Sequence, residues 1–502
     1  MAYRSVKSQL TRRAALFGGG AAVGAYAGAR LSSKIPSVVA TNSLQPTGAE
    51  GTLNDASLLN ETPVAKHVIL PDNPSGRMIE KVRDEVIEAR DAGRPFNIGA
   101  ARHSMGGHAI PREGTALTYD NGLVEPDREN MIYRVHAGAR WRDVIAQLDL
   151  FGMSPEVMQS NNDFGVAASF CVNAHGWPVP WGPMGQSVRQ VYMLRPDAEL
   201  LRVSRDEFAD LFTLTMGGFG LTGAILELEV EMVANVRLKP TFQKMQSREF
   251  APFFVGAIEA GDVNMAYGQL NVDRESFFED ALMITYRESE DQEDLPSVGT
   301  PGFMSETAER ISQAQVMNET VKGLRWGFEA GLVPWVGAGE VTRNTLLNQP
   351  VGTREGRRPE RTDILHEYFV PTDRFAEFIG ACQTVIPASY QELMNATLRY
   401  VKADRESVLA YAPGNRIACA LTFSQEMTQR AETDHKSMTQ ELIERVFDLG
   451  GTYYLPYRPH PTAGQFLRGY PRAREFVERK LELDPNRTFR NGFWDTYLEP
   501  LA

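Results

Sequence analysis

Residues 96–110 read FNIGAARHSMGGHAI, a short apolar strand that runs into a loop of Gly, Ala and Ser carrying His103 and His108. The chain has only eight histidines in 502 residues, and two of them fall here. A loop so poor in side chains lets another molecule lie against its backbone N–H groups, and an adjacent imidazole can hold that molecule. Two further loops have the same character: NNDFGVAASFCVNAHG over 161–176 and GGFGLTGAI over 217–225. Each borders an expected strand or helix and offers consecutive N–H donors of the kind a pyrophosphate needs. A Rossmann site is not expected, because GFGLTG follows a helix and precedes a strand, the reverse of that fingerprint's order.

The length is too great for one ordinary core, so two domains or more are expected. Hydrophobic residues at 42% and charged residues at 23% give the balance of a folded, soluble protein. A net charge of −12 argues against nucleic acid, which needs clustered Lys and Arg. Cys171, Cys382 and Cys419 are far apart and odd in number, so no disulfide framework is expected. Neither the cysteines nor the histidines show metal-ligand spacing, and no metal is expected.

Residues 1–49 contain no acidic residue, whereas Arg4, Lys7, Arg12, Arg13, Arg30 and Lys34 are basic. TRRAALFGGGAAVGAYAGA, from Thr11, sets an arginine pair before a Gly/Ala-rich apolar run too short and too rich in glycine for a membrane span. It resembles a twin-arginine export signal over 1–30, with AGA at 27–29 a cleavage site, which implies an exported, periplasmic or extracellular protein. A mitochondrial presequence is the alternative. The Ser, Thr, Asn and Pro of 31–61 read as a linker.

From residue 62 the pattern becomes regular. RMIEKVRDEVIEARDAGRP predicts a helix with Ile79, Val82, Val86 and Ile87 on one face, stopped by Gly93 and Pro95. NMIYRVHAGA is a strand leading to the helix RWRDVIAQLDLFG, and RQVYMLRPDAELLRVS is two strands about a turn. RDEFADLFTL is a helix. ILELEVEMV alternates Leu226, Leu228, Val230 and Met232 with Glu227, Glu229 and Glu231, a strand with one buried face. Beyond 236, MAYGQLNV, ALMITYRE, ILHEYFVP and ATLRYVKADRESVLAYA predict strands, and KSMTQELIERVFDLGG an amphipathic helix. RWGFEAGLVPWVG is read as a buried helix in preference to a membrane contact. The class is α+β in two domains, without evenly spaced βαβ units.

The order of the three loops resembles the vanillyl-alcohol-oxidase superfamily of FAD-linked oxidases, whose members share the PCMH-type FAD domain. The likeness covers about 62–235 and the carboxyl-terminal tail. It implies an FAD-binding domain over 62–235, an antiparallel-sheet substrate cap over 236–450, and a segment over 451–502 that returns to the FAD domain. Ala100-Ala101-Arg102-His103-Ser104 stands where the family has roughly Gly-Gly-Gly-His-Ser, with Gly107 beyond it. FGVAASFCVNAHG stands for the second loop, contributing Ala167, Ala168, Ser169, Asn173, His175 and Gly176. GGFGLTGAILELEV matches the adenosine-holding segment through Gly220, Gly223 and Ile225, and LDPNRTFRNGF over 483–493 resembles the tail signature and supplies Asn491. The resemblance implies FAD bonded covalently through His103, while His108 is expected to be a surface or loop residue. A second bond through cysteine is not expected, since Asn161, Asn162 and Asp163 occupy that region. Ala167-Ala168 and Ala100-Ala101-Arg102 replace glycines, and an added Cβ disfavours positive φ, so the backbone there must differ. Loop one is nearest in flavour to the alditol and aldonolactone oxidases.

Alcohol oxidation requires a C–H aligned with flavin N5, an acceptor for the hydroxyl proton and a positive group near N1. LRYVKAD over 398–404 resembles the alditol-oxidase strand whose arginine contacts substrate and flavin, which assigns Arg399, with Thr397 where that strand has Glu. Pairing of Arg399 with Asp404 or Glu406 is the structural alternative. YRPHPTAGQF loosely resembles the family segment that would make His460 the base, with Gln465 where that segment has lysine; a structural turn residue is the alternative. Tyr453, Tyr454 and Tyr457 are read as pocket or core residues. The reading is an oxidoreductase acting on a small CH–OH substrate, reoxidised by oxygen, a quinone or a cytochrome. The alternatives are a flavin-dependent C=C reductase, as in sterol-reductase relatives, and a non-catalytic flavin-binding protein.

Overall fold

Parallel strands need a crossover, and the first unit of the fold is built on one. The computed structural model describes residues 43–70, 76–120, 122–299, 315–332, 339–350 and 358–502; the expected signal over 1–30 lies outside them. Strand β1 (Lys66–Leu70) leads through helix α1 (Gly76–Asp91) to β2 (Phe96–Gly99), and β3 (Thr115–Tyr119) pairs in parallel between them. Helix α1 buries Met78, Val82, Val86 and Ala89 at i, i+4, i+8 and i+11, with Ile79 and Ile87 at the margin of that face.

A second, antiparallel sheet follows, from β4 (Val124–Asp127), β5 (Ile132–His136), β6 (Met153–Pro155), β7 (Val188–Leu194), β8 (Leu200–Ser204) and β9 (Ala224–Ala234). Its order is β8-β7-β9-β5-β4, with β6 also on β9. In β9 Leu226, Leu228, Val230 and Met232 are buried and the three glutamates between them are half-exposed, as their alternation requires. Helices α2 (Trp141–Asp149) and α3 (Val166–Cys171) belong to this unit, joined where the Trp141 indole donates to Ser169 Oγ at 2.9 Å.

The sheets change over between Ala234 and Arg237. The cap is one antiparallel sheet of eight strands: β10 (Arg237–Gln246), β11 (Val263–Leu270), β12 (Asp280–Glu288), β13 (Val341–Thr342), β14 (Arg361–Pro371), β15 (Glu392–Val401), β16 (Arg416–Glu426) and β17 (Thr452–Tyr453), ordered β13-β10-β12-β11-β15-β16-β14-β17. Helices α4 (Phe250–Glu259), α5 (Phe375–Val385) and α6 (Gln429–Asp448) pack Phe250, Phe254, Phe375, Ile379, Leu442 and Val446 onto its back face. Beyond β17 the chain returns to the first unit. Phe96 N–H donates to the Thr488 carbonyl at 2.7 Å, and the Phe96 and Phe489 rings meet edge to face.

Three expectations change. The strand read over 396–412 stops at Val401, because the Asp404 carboxylate accepts from the N–H groups of Glu406 and Ser407 and turns the chain. The segment from Arg325 is less buried than expected. Leu324 and Phe328 are exposed, and residues 333–338 lie outside the described set. Among the described residues no helix is long and apolar enough to cross a membrane.

His108 is not a surface residue. It is buried, edge-on to the rings of Phe219 and Phe493, and desolvation lowers its pKa to about 3. A depressed histidine contributes stability that is fully present above its unfolded value of about 6.5 and is lost as pH falls toward 3. His108→Leu should therefore flatten the acid limb of a thermal-midpoint-against-pH curve. Its stability relative to wild type should improve by up to about 3 kcal/mol between pH 7 and pH 4.

Candidate active site

The first loop leaves β2 at Gly99 and stays half-buried from Ala100 to Ser104. Among the described residues none accepts from the backbone N–H of Ala100, Ala101, Arg102 or Ser104. The conformation that the missing glycines would supply falls on Arg102, whose φ is 51°. Its guanidinium folds back to donate to Thr118 Oγ1 at 2.8 Å, Nε has no partner among the described residues, and burial brings its pKa down to about 10. His103 stacks on Phe164 of the second loop at 4.2 Å. Gly107 is an anchor, since its N–H is taken by Asp55 at 2.7 Å.

The second loop enters α3 at Val166, so Ala167 and Ala168 are helical and need no positive φ. It lies hard against the first: a Cβ on Gly165 would come within 2.8 Å of that of Ala100, and one on Gly176 would stand 1.8 Å from the Met158 carbonyl. Ser169 Oγ bridges Trp141 and the Gly165 carbonyl. Asn173, at φ 45°, donates to Asp404 at 2.9 Å and accepts from Gly185 N–H and, at its carbonyl, from the Tyr411 hydroxyl. It ties this loop to the cap.

In the third loop Phe219 N–H donates to the Cys171 carbonyl, and Gly220 and Gly223 have φ of 71° and 153°. Ile225 is the second residue of β9, and its carbonyl accepts from the Tyr119 hydroxyl at 3.3 Å. Asn491 uses its whole amide inside the protein: it donates to Asn97 Oδ1 and the Phe219 carbonyl and accepts from Phe493 and Trp494 N–H. It positions loop three and the tail together.

Across from these loops lies the front face of the cap sheet. Register places Glu367 (β14), Ala420 (β16), Thr397 (β15) and Gln269 (β11) in one row, and Phe369, Ala418 and Arg399 in the next. The two small alanines leave Arg399 Nη1 3.6 Å from Glu367 Oε1, so Arg399 pairs with neither Asp404 nor Glu406. His175 Nε2, from the second loop, stands 3.2 Å from the same oxygen, and the Tyr457 hydroxyl donates to Glu367 Oε2 at 3.4 Å. Burial opposes ionisation of Glu367, but His175 and Arg399 outweigh it and hold its pKa below the ordinary value. Glu367 Oε1, both His175 nitrogens and Arg399 Nε make no well-formed hydrogen bond among the described residues. Buried polar capacity left unused at one place marks a ligand site. Tyr454 also lies here, its hydroxyl on the Val172 carbonyl, whereas Tyr453 packs in the core.

Donor-rich loops on one side and a polar sheet face on the other match what comparison with known proteins finds. The FAD binding domain family matches residues 74–204, which contain the first two loops. The chain is similar to FAD-linked oxidases of the vanillyl-alcohol-oxidase type. FAD is its cofactor, and the unpaired first-loop N–H groups and Arg102 fit its diphosphate. The chain is 24% identical over 434 residues to decaprenylphosphoryl-beta-D-ribose oxidase of Mycolicibacterium smegmatis, covering 76% of this chain and 88% of that protein. It is 24% identical over 161 residues to mitochondrial L-galactono-1,4-lactone dehydrogenase of Brassica oleracea, 32% of this chain and 26% of that relative's length. The Arabidopsis thaliana counterpart matches at 24% over 146 residues and 23% of its length.

His460 departs from the expected base. It contacts His366, and residues 366 and 367 of one strand point to opposite faces, so His460 lies behind the sheet that carries Arg399 in front. Glu367 is not among the expected site residues, although it is the single charged side chain inside the apolar run of β14 that is buried on both faces. That burial is the signal for a paired carboxylate.

Asn491→Ala would leave two buried backbone N–H groups and a carbonyl without partners. It should cost about 2–4 kcal/mol, read as a lowered thermal midpoint, and should release FAD more readily on dilution.

Proposed function

We propose that the protein is an exported FAD-dependent oxidoreductase that oxidises a CH–OH group of a polyol, sugar or sugar-lactone substrate, with FAD attached through His103. The observation that carries this reading is the meeting of Glu367, His175, Arg399 and Tyr457, with polar atoms unspent, on the cap face opposite the FAD loops. When bound, FAD supplies the hydride acceptor. His175, held by Glu367, takes the substrate hydroxyl proton in place of His460, a role its 3.2 Å contact with Glu367 supports. Arg399 holds negative charge at the front of the sheet, and Tyr457 orients the substrate oxygen. The sugar-type substrates named for the relatives support the CH–OH class. Oxygen, a quinone or a cytochrome completes the cycle as acceptor. The arginine pair at 12–13 before the Gly/Ala-rich run supports export.

Acid precipitation tests the tether, and anaerobic reduction by a panel of polyols, aldoses and aldonolactones tests the chemistry. The wild-type pellet should stay yellow, and His103→Ala should release its flavin to the supernatant. Glu367→Gln and His175→Gln should keep FAD but slow its reduction by about 10²–10⁴-fold. FAD-loaded protein that no CH–OH donor reduces would refute the assignment.

A further inference from the structure

Behind the catalytic face, three of the eight histidines converge from separate parts of the chain. His366 comes from β14, His435 from α6, and His460 from the segment that follows Tyr457. All three are buried, and their ring centroids form a near-equilateral triangle with sides of 4.9, 5.2 and 5.2 Å. One nitrogen of each lies within 4.8 Å of the other two.

The outward hydrogen bonds fix the tautomers of two rings. Glu432, a carboxylate, can only accept, so His460 Nε2 carries the proton of their 3.1 Å contact and Nδ1 is a bare lone pair facing inward. Gln425 donates its amide to Glu432 Oε2, so its Oε1 accepts from His435 Nδ1 at 2.6 Å, and His435 Nε2 is bare as well. His366 Nε2, 3.0 Å from His460 Nδ1, can give one proton, and the Thr439 hydroxyl, 3.2 Å away, faces the same atom. Nothing among the described residues donates to His435 Nε2, which is fully buried. A hydrogen-bonded trio thus leaves an orphaned lone pair in the core, at a cost of about 1–3 kcal/mol.

We propose that His366, His435 and His460 bind a divalent cation of the zinc class, which joins β14, α6 and the 454–460 segment behind the active site. With the His366 proton on Nδ1, each ring offers one bare nitrogen to the cluster, the three lying within 4.8 Å of one another. Binding would draw the nitrogens to about 3.3 Å apart, the spacing that metal–nitrogen bonds of about 2.0–2.1 Å impose in a tetrahedron. Glu432 behind His460 and Gln425 behind His435 are the outer partners that orient ligating imidazoles. Burial lowers the pKa of all three rings, leaving them neutral as ligands must be. The charged groups facing the cluster are Glu432, Arg458 and, farther off, Lys436. Arg458 is paired with Glu432 and lies within the field of Asp55, so its charge is compensated locally. Arg458 also donates to the Met105 carbonyl at 3.1 Å, which links the cluster to the first FAD loop. The inference is independent of the reaction proposed above.

The test uses the full FAD-loaded chain, incubated with Zn²⁺ or Co²⁺ and desalted. Elemental analysis should find about one zinc per chain, falling at least about tenfold in His435→Gln at equal flavin content. Cobalt should give d–d bands to the red of the flavin absorption, and a chelator should lower the thermal midpoint of the wild type. Wild-type protein with normal flavin content that retains no zinc and shows no cobalt bands would overturn the proposal, making the trio a hydrogen-bonded core cluster only. Full zinc retention in His435→Gln and His366→Gln would overturn it too. The wild-type cobalt spectrum decides the matter if a variant fails to fold.

Discussion

Burying the Glu367 carboxylate is the constraint from which the interdomain geometry follows. Its side chain is 1% exposed. An ionised carboxylate at such a site costs several kcal/mol unless positive or donating groups meet it. One of its partners, Arg399, belongs to the cap, and another, His175, belongs to the FAD domain. The carboxylate therefore has its full set of partners only when the two domains sit in one relative position. Asn173 to Asp404, Tyr411 to the Asn173 carbonyl and Tyr454 to the Val172 carbonyl reinforce that position from the same loop. The candidate site and domain docking thus draw on the same few groups. Ala418 and Ala420 are part of this arrangement, because a larger side chain on β16 would stand between Arg399 and Glu367.

The FAD loops reconcile a glycine-like role with a sequence poor in glycine at the decisive positions. Ala167 and Ala168 avoid the problem by being helical. In the first loop Arg102 is the one non-glycine residue with a positive φ, and its long side chain reaches Thr118. A cation in place of a glycine adds attraction for a diphosphate at the expense of backbone ease. Glycine is retained where the space is absolute, as at Gly176, where any Cβ would overlap the Met158 carbonyl.

Local patterns made much of the fold legible. The period of Leu226 to Met232 and the amphipathic helix expected over 436–451 were readable because each element buries one face, although the helix itself begins earlier, at Gln429. β16 was not, since RIACALTFSQE is buried on both faces and shows no alternation. The FAD loops could be read because their residues are contiguous. The polar face of the cap could not, because it is assembled across β11, β14, β15 and the second loop, and a residue such as Glu367 acquires meaning only from its register. The same holds for His366, His435 and His460: their separation in sequence matches no ligand pattern, and the sheet, a helix and a returning segment bring them together.

The 454–460 segment shows how far one stretch of chain can bind these parts to each other. Where β14 has no neighbour beyond β17, Tyr454 N–H donates to the Glu367 carbonyl and covers the open edge of the sheet. Tyr457 then reaches the front, Arg458 passes to Met105 and Asn60 beneath the first loop, and His460 arrives at the back against His366. Residues 366 and 367 stand back to back, so the carboxylate in front and the imidazoles behind share one stretch of backbone and one bracing segment. Any shift of that segment would move Tyr457 relative to Glu367 and Arg458 relative to the first FAD loop. Packing behind the sheet is therefore a condition for the geometry in front of it.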